Sequence, residues 1–350
     1  MAAFTTIDDA GSFFSPTLYT GNTSTQTITG VGFSADFTWI KDRDATKWHS
    51  LVDTARGYNK WVYSNDSAVE DTVTDRLTSW NSDGFALGAN LETNTDTNDY
   101  VSWNWKAGTT TGIDTTGSTI TPSAYTFNQT SRFSAIAYTG NATAGAKLPH
   151  GLGTTPIMII VKNLQTTESW MVYHQYSDAV PEDYAMQLNT TGPNADNNTN
   201  WNDTAPDSVN ITFGDGAGTN SANNFIAYCF ADVQGYSKMG SYLANGNADG
   251  PFVYTGFRPA FVMTKATTGY INWNMFDSKR PPYNPEEPLW ANTTGTEASI
   301  GAYDVDLLSN GFKARTLSSQ VNSTSTPNYI YAAFASNPFV NSSGVPGNAR

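Results

Sequence analysis

One cysteine in 350 residues leaves no partner for a disulfide within the chain. That residue, Cys229, lies between Tyr228 and Phe230, which offer no base to activate a thiol, so it reads as a small core residue. Charge is also scarce. Only 14% of residues are charged, with 18 Lys and Arg against 31 Asp and Glu, for a net charge of -13. An acidic chain with no basic stripe repels phosphate backbones and anionic membranes, so nucleic acid is not expected as a partner. No apolar run approaches the roughly 18 residues of a membrane-spanning helix, and no membrane insertion is expected. The opening MAAFTTIDDAGSFF has no basic region followed by an apolar stretch, so no secretory signal is read there.

Catalytic groups are few. The three histidines, His49, His150 and His174, are scattered, and no HExxH, CxxC or G-x-S-x-G motif occurs. Glycoside hydrolysis needs two carboxylates facing each other across a cleft. The candidates Glu70, Asp83, Glu182, Asp183, Glu286 and Glu287 sit in polar turns without a shared pattern. No catalytic residue is assigned, and the chain is not read as an enzyme.

Aromatic residues are plentiful, with Trp 10, Tyr 18 and Phe 18 set among Asn, Thr, Ser and Gly. They recur in order. YVSWNWKA from Tyr100, FIAYCFAD from Phe225 and YIYAAFAS from Tyr329 each open on an aromatic and carry a second one five residues on, at Trp105, Phe230 and Phe334. Upstream lie GFSADFTWIKDR from Gly32, GLGTTPIMIIVKN from Gly151 and GFRPAFVMTKA from Gly256, whose lysines are Lys41, Lys162 and Lys265. LYTGN (from Leu18), AYTGN (from Ala137) and SYLANG (from Ser241) open the three copies. The chain is therefore a threefold internal repeat, of units of about 105 to 120 residues. Units of that size are large enough to bury a core each, so three self-sufficient domains are expected.

The boundaries read as a leader at 1–17, repeat one at 18–110, a linker plus repeat two at 111–238, repeat three at 239–336 and a tail at 337–350. Short runs separated by polar turns predict an all-β chain with five or six strands per repeat and no helix. Asp83-Gly84 and Asn310-Gly311 are tight-turn signals. WHSLVDTARG and WNMFDSKR share a D-x-x-R spacing (Asp53 with Arg56, Asp277 with Arg280) that suggests a turn closed by a local ion pair or Asx-type bond; the second copy has His174 in place of the Asp. The thread 107–129, rich in Thr, Gly and Ser, is a linker or an extra pair of edge strands. In YVSWNWKA, Val101, Trp103 and Trp105 share one face; in YIYAAFAS the matching inward set is Ile330, Ala332 and Phe334. A register slip would bury Ser102 and Asn104. One buried face against a second sheet fits a β-sandwich.

Two oxygen-rich loops, NTDTND (94–99) and NADNNTNWND (194–203), offer ligands to calcium but lack the spacing of a calcium loop with its bidentate Glu. No other cofactor is indicated. N-x-S/T triplets at Asn22, Asn65, Asn141, Asn202 and Asn292 arise from composition. Sugars stack on exposed aromatic rings while amides bond their hydroxyls, which makes Trp80 with Asn81, Trp201 with Asn202 and Trp290 with Asn292 the candidate glycan contacts. Phe13 and Phe14 in the leader, with Pro338 and Phe339 in the tail, are candidate docking residues for a partner.

The FTTID opening, LYTGN, WIKDR, the SDGF turn and YVSWNWKAG, with GFRPAFVMTK and YIYAAFASNPF as the most specific pieces, resemble a repeat family in tail-fibre and other virion structural proteins of marine bacteriophages. The resemblance runs from Phe4 to Phe339. It implies three tandem β-sandwich domains of jelly-roll, concanavalin A-like type on the virion exterior, in contact with other virion proteins and assembled there as a homo-oligomer; it carries no catalytic residues. With no heptad run for a shaft, the expectation is a short tail appendage that adheres to host-surface glycan. The alternative is a purely architectural capsid or tail decoration or adaptor protein.

Overall fold

The computed structural model describes residues 5–281, 284, 287–297, 303–325 and 328–347. The chain is nearly all β. Among the described residues the helical pieces are single turns, at Ala10–Ser12, Pro181–Asp183 and Asn198–Trp201. Three large antiparallel sheets repeat one strand order. In the first it runs Phe14–Thr20, Asp99–Trp105, Phe37–Asp42, Ser50–Asp53, Lys60–Tyr63 and Asp71–Thr72. The second repeats that order from Phe133–Thr139 and adds Pro122–Asn128 at its outer edge; the third starts at Ser237–Leu243 and ends at Leu289–Trp290. Each repeat also has a small sheet, such as Gln26–Thr29, Gly84–Leu87 and Leu77–Asn81 in the first.

In every large sheet the closing strand (Asp99–Trp105, Asn224–Phe230, Asn328–Pro338) lies between the opening strand and the lysine-bearing strand. A central strand is covered on both faces, so its sequence is apolar on both. Val101, Trp103 and Trp105 turn to one cluster, as do Ile330, Ala332 and Phe334, while Tyr100 turns to the cluster between the first repeat's own two sheets. Ser102 and Asn104 correct the expectation of a polar exposed face. Both are fully buried, and they hydrogen-bond within the sheet: Ser102 Oγ to the Thr17 carbonyl at 3.3 Å, and Asn104 Nδ2 to the Ser15 carbonyl at 3.0 Å.

The inward faces of all three large sheets pack on one another. Trp105, Phe230 and Phe334, the fixed second aromatics of the repeat, form a triangle with ring centroids 6.2, 5.5 and 5.8 Å apart. Each is paired in register with the first or an early residue of its lysine strand, Phe37, Met158 and Phe261. Phe14 stacks on Phe334 at 5.0 Å and Phe37 on Tyr228 at 4.4 Å, so rings cross from repeat to repeat. The largest core cluster therefore belongs to all three repeats at once. Self-sufficient cores, expected from repeat length, are only half of the packing: the first and second repeats also have clusters of their own.

Other expectations shift in detail. The supposed leader supplies the opening strand Phe14–Thr20, an edge strand where Pro16 is tolerated because its missing N–H faces no neighbour. The tail begins inside the last strand, which runs to Pro338. Strands are more numerous than five or six per repeat because two- and four-residue strands are hard to read from sequence. Of the thread 107–129, Pro122–Asn128 is an edge strand and Thr109 makes one bridge to Phe127. The hairpin at 81–84 turns through Ser82 and Asp83, and Gly84 already starts the next strand. Gly84 is needed there because a Cβ would strike the Ile28 carbonyl of the neighbouring strand, and its φ is +146°.

A shared core predicts shared stability. Phe230→Ala should lower the unfolding free energy by about 3–5 kcal/mol, the usual range for a buried Phe. It should do so in one cooperative transition seen alike by calorimetry and by tryptophan fluorescence, although Phe230 belongs to the second repeat alone. Loss of one repeat's signal while the other two melt unchanged would refute the shared core.

Candidate functional site

The seams between repeats are built from equivalent residues in a closed cycle. Lys41 Nζ donates to the Thr294 carbonyl of the third repeat at 3.2 Å, Lys162 to the Ser67 carbonyl of the first at 3.1 Å, and Lys265 to the Thr191 carbonyl of the second at 3.3 Å. Each also donates to the carbonyl of the residue that follows it, at 2.7, 2.6 and 2.8 Å. A backbone bond accompanies each seam: Glu70 N to Leu164 O at 2.9 Å, Asn194 N to Thr267 O at 2.9 Å, and Glu297 N to Arg43 O at 3.2 Å. Trp170 and Trp273 donate their indole N–H to the Tyr63 and Gln187 carbonyls, both at 2.9 Å. His49 takes the same place in the first repeat, facing Trp290 without a well-formed bond from Nε2.

The three lysines are fully buried with carbonyls as their hydrogen-bond acceptors. Burial disfavours the ammonium and lowers them to about 8 (Lys41), about 8 (Lys162) and about 7 (Lys265). The histidines are buried as well. Desolvation takes His150 and His174 to about 4, and His49 well below its usual range. His150 Nε2 meets the Asp207 carbonyl and His174 Nε2 the Tyr331 carbonyl, both at 3.2 Å, so each is tied to backbone. Burial also raises the Cys229 thiol to about 12, the opposite of what a nucleophile needs.

The D-x-x-R turns form as anticipated. Arg56 pairs with Asp53 at 2.6 Å and with Glu70 at 3.1 Å; Arg280 pairs with Asp277 and with Glu297, both at 2.6 Å. Asp53 also accepts from the Tyr228 hydroxyl at 2.7 Å, and Asp277 from the Trp103 indole at 3.1 Å, each across a seam. The second repeat breaks the pattern. His174, Ser177 and Asn194 stand where the others have Asp, Arg and Glu. Asn194 reaches only the Ser177 carbonyl, at 3.4 Å, and its Oδ1 is buried without a partner. Beside this seam a cleft of about 340 Å³ opens between Gln187–Asn200 of the second repeat and Tyr270 of the third. Two other hollows, of about 390 and 490 Å³, share Asp232 and Gln234. Their cation–anion pair is already closed, Lys238 to Asp232 at 2.8 Å.

The residues proposed for glycan stacking lie in three different repeats and are not brought together. Trp201 is 1% exposed, packed on Tyr173 and Phe213, so neither face of its ring is open to a sugar; Asn202 caps the short helix with a left-handed backbone, φ 55°. Trp80 is half-buried against the first repeat's core, and Asn81 accepts from Ser79 at 3.2 Å. Trp290 donates to Asn274 at 3.0 Å with Tyr303 against its ring, while Asn292 holds the Trp273 amide at 2.9 Å. Asn65 and Asn189 hold the matching amides of His49 and Trp170, so Asn292 is a repeated structural clamp. The docking candidates are largely interior. Phe14 is 1% exposed in the shared core, Pro338 is buried in register with Phe257, and Phe13 and Phe339 are half-buried.

The oxygen-rich loop 94–99 has a structural duty. Asn94 is fully buried, accepting from the Asn22 amide at 2.9 Å and donating to the Gly88 and Ser24 carbonyls; Asn220 and Asn322 make the same clamp in the other repeats. Among the described residues no group of three His, Cys, Asp or Glu is placed to hold a metal ion. Of the carboxylates, Glu70 is held by Arg56, Asp83 caps the Gly30 and Gly32 amides, Glu182 and Asp183 lie in a single helical turn, Glu287 is buried, and Glu286 lies outside the described residues.

One family profile, described as a domain of unknown function (DUF7483), matches residues 9–338. The chain belongs to that family. No curated protein and no solved structure matches it. The DUF7483 match begins just before the first strand and ends on the last residue of the final long strand. The family's domain is thus the whole three-sheet body and not a single repeat.

The buried lysines make stability depend on pH in a stated direction. Lys265 has a folded value of about 7 against roughly 10.4 in an unfolded chain, so between these limits the unfolded state binds more protons and stability rises with pH. Between pH 7 and 9.5 the wild type should gain on the order of 2 kcal/mol relative to Lys265→Met, read from urea unfolding at fixed ionic strength. Parallel pH curves for the two proteins would show that burial does not lower Lys265.

Proposed function

We propose that the protein is a non-enzymatic structural protein on the exterior of a bacteriophage particle, a short tail appendage that adheres to host-surface glycan. The observation that carries this reading is the direction in which the reactive groups face. The three repeat lysines, His49 and His174, and the Asp–Arg–Glu groups turn inward at the seams, where they help fix three repeats into one body. The outside is left to turns of Asn, Thr, Ser and Gly with dispersed aspartates and a scatter of exposed aromatics. A rigid body whose buried lysines and histidines are out of reach and whose outward aspartates are dispersed suits attachment and display better than chemistry, because catalysis needs grouped titratable residues in reach of a substrate.

The resemblance of FTTID, LYTGN, WIKDR, YVSWNWKAG and YIYAAFASNPF to virion repeat proteins supplies the setting. In it each large sheet with its small partner is a β-sandwich of the jelly-roll, concanavalin A-like kind, three in tandem, assembled in several copies with other virion proteins. The protein is then made in the host cytoplasm and displayed on the particle. A purely architectural decoration or adaptor role is the second reading, favoured by the absorption of Trp201 and Phe14 into packing.

Antibodies against the purified chain test the setting. On sedimented, nuclease-treated particles from a culture producing the protein, immunogold should mark one end of each tail. Even labelling of the capsid would transfer the assignment to decoration. Protein found wholly in the particle-free supernatant would end the virion reading.

A further inference from the structure

We infer that the cleft at the seam between the second and third repeats is a binding site for a neutral sugar residue, with Tyr270 as its stacking platform and Asn200 as its buried polar anchor. The inference rests on the adhesion reading above and gives it a place. The cleft appears where the pseudo-threefold pattern fails. At the other two seams Arg56 reaches the Tyr228 hydroxyl of the second repeat and Arg43 pairs with Glu297 of the third; at this one Ser177 and Asn194 form no ion pair, and the cleft lies beside it, lined by Gly192, Pro193 and Ala195. Its volume, about 340 Å³, lies in the lower range of small-molecule sites.

Two independent features point to the ligand. Tyr270 is 78% exposed, the most exposed large hydrophobic side chain among the described residues, and stands at the cleft's edge on the loop that follows Lys265. Asn200 lines the cleft, is 3% exposed, and its side chain has no hydrogen-bond partner among the described residues. Its polar atoms reach the open cleft, where water serves them, and a hydroxyl-bearing ligand can take that water's place. Gln187, Thr190 and Asn197 add neutral donors and acceptors, while Met171 and Ala185 give an apolar floor. No charged side chain lines the cleft, and the acidic residues near Asp183 (Asp178, Glu182, Asp196 and Asp203) set a negative field nearby. Such a site takes a neutral hexose or N-acetylhexosamine and turns away uronic and sialic acids. The sequence reading looked to Trp201 in this same segment; the ring that is open belongs to the next repeat.

An array of bacterial O-chains and capsular polysaccharides, followed by titration with methyl glycosides of neutral, N-acetylated and anionic sugars, is the test. Wild type, Tyr270→Ala, Tyr270→Trp, Asn200→Leu and, as an exposed aromatic away from the cleft, Tyr254→Ala are compared on the whole chain. The expected result is binding of neutral sugars that falls at least tenfold in Tyr270→Ala and Asn200→Leu, is kept in Tyr270→Trp and is unchanged in Tyr254→Ala. Because Tyr270 is exposed, its Ala variant should fold and melt like the wild type, which separates lost contact from lost structure. Sugar binding undiminished in Tyr270→Ala would overturn this site and leave adhesion standing. A folded wild type that binds no sugar on the array would overturn the site and the adhesion reading together, whatever the particle labelling shows.

Discussion

The contact on which the rest depends is the triangle of Trp105, Phe230 and Phe334. Its centroid separations of 6.2, 5.5 and 5.8 Å are those of rings in direct contact, and each ring comes from the middle strand of a different sheet. Middle strands cannot shift without breaking hydrogen bonds on both sides, so three sheets are fixed where three rings meet. Removing any one ring leaves a hole bordered by the other two, which is why the consequence falls on the chain and not on one repeat. The same reasoning explains the aromatic content: a seam of three sheets on an axis has room for large rings that two stacked sheets do not.

Apolar packing alone would not choose an angle between repeats. The lysines do. Each amine reaches at least one carbonyl in its own repeat and one in a neighbouring repeat, and a rotation about the axis would strand a buried ammonium. Burying a charge this way is unfavourable, as the lowered values near 7 and 8 record. Its return is specificity of arrangement, and the backbone bonds from Glu70, Asn194 and Glu297 repeat the same geometry with neutral groups.

Much of this was visible in the letters. The three aromatic runs, their lysines and the alternation of Val101, Trp103 and Trp105 predicted the sheets, the strand faces and the equivalence of His174 with Asp53 and Asp277. What could not be read was where a face points. Trp105 and Trp201 are both Trp beside polar residues, yet one sits on the axis and the other against Phe213, because burial follows from partners far away in sequence. Phe14 read as a leader residue since its strand partner lies about ninety residues on, at Trp105. The candidate site was hidden for the same reason: its two sides, Asn200 and Tyr270, belong to different repeats. The signal available was a departure, His174 in place of the Asp of the other two repeats, which marks the seam beside which the cleft lies.

A ring of three can tolerate one open seam because the other two are closed by charge-assisted pairs. Arg280 and Arg43 converge on Glu297, and Arg56 joins Asp53, Glu70 and the Tyr228 hydroxyl. At the open seam the lysine, backbone and indole bonds persist through Lys265, Asn194 and Trp273, so the repeats keep their angle while the outer edge parts. Losing those bonds as well would loosen the axis. The division is therefore radial: aromatics at the centre, lysines and indoles around them, and then the buried Asp–Arg groups, where the second repeat has His174 and Ser177 and keeps its core packing without the ion pair.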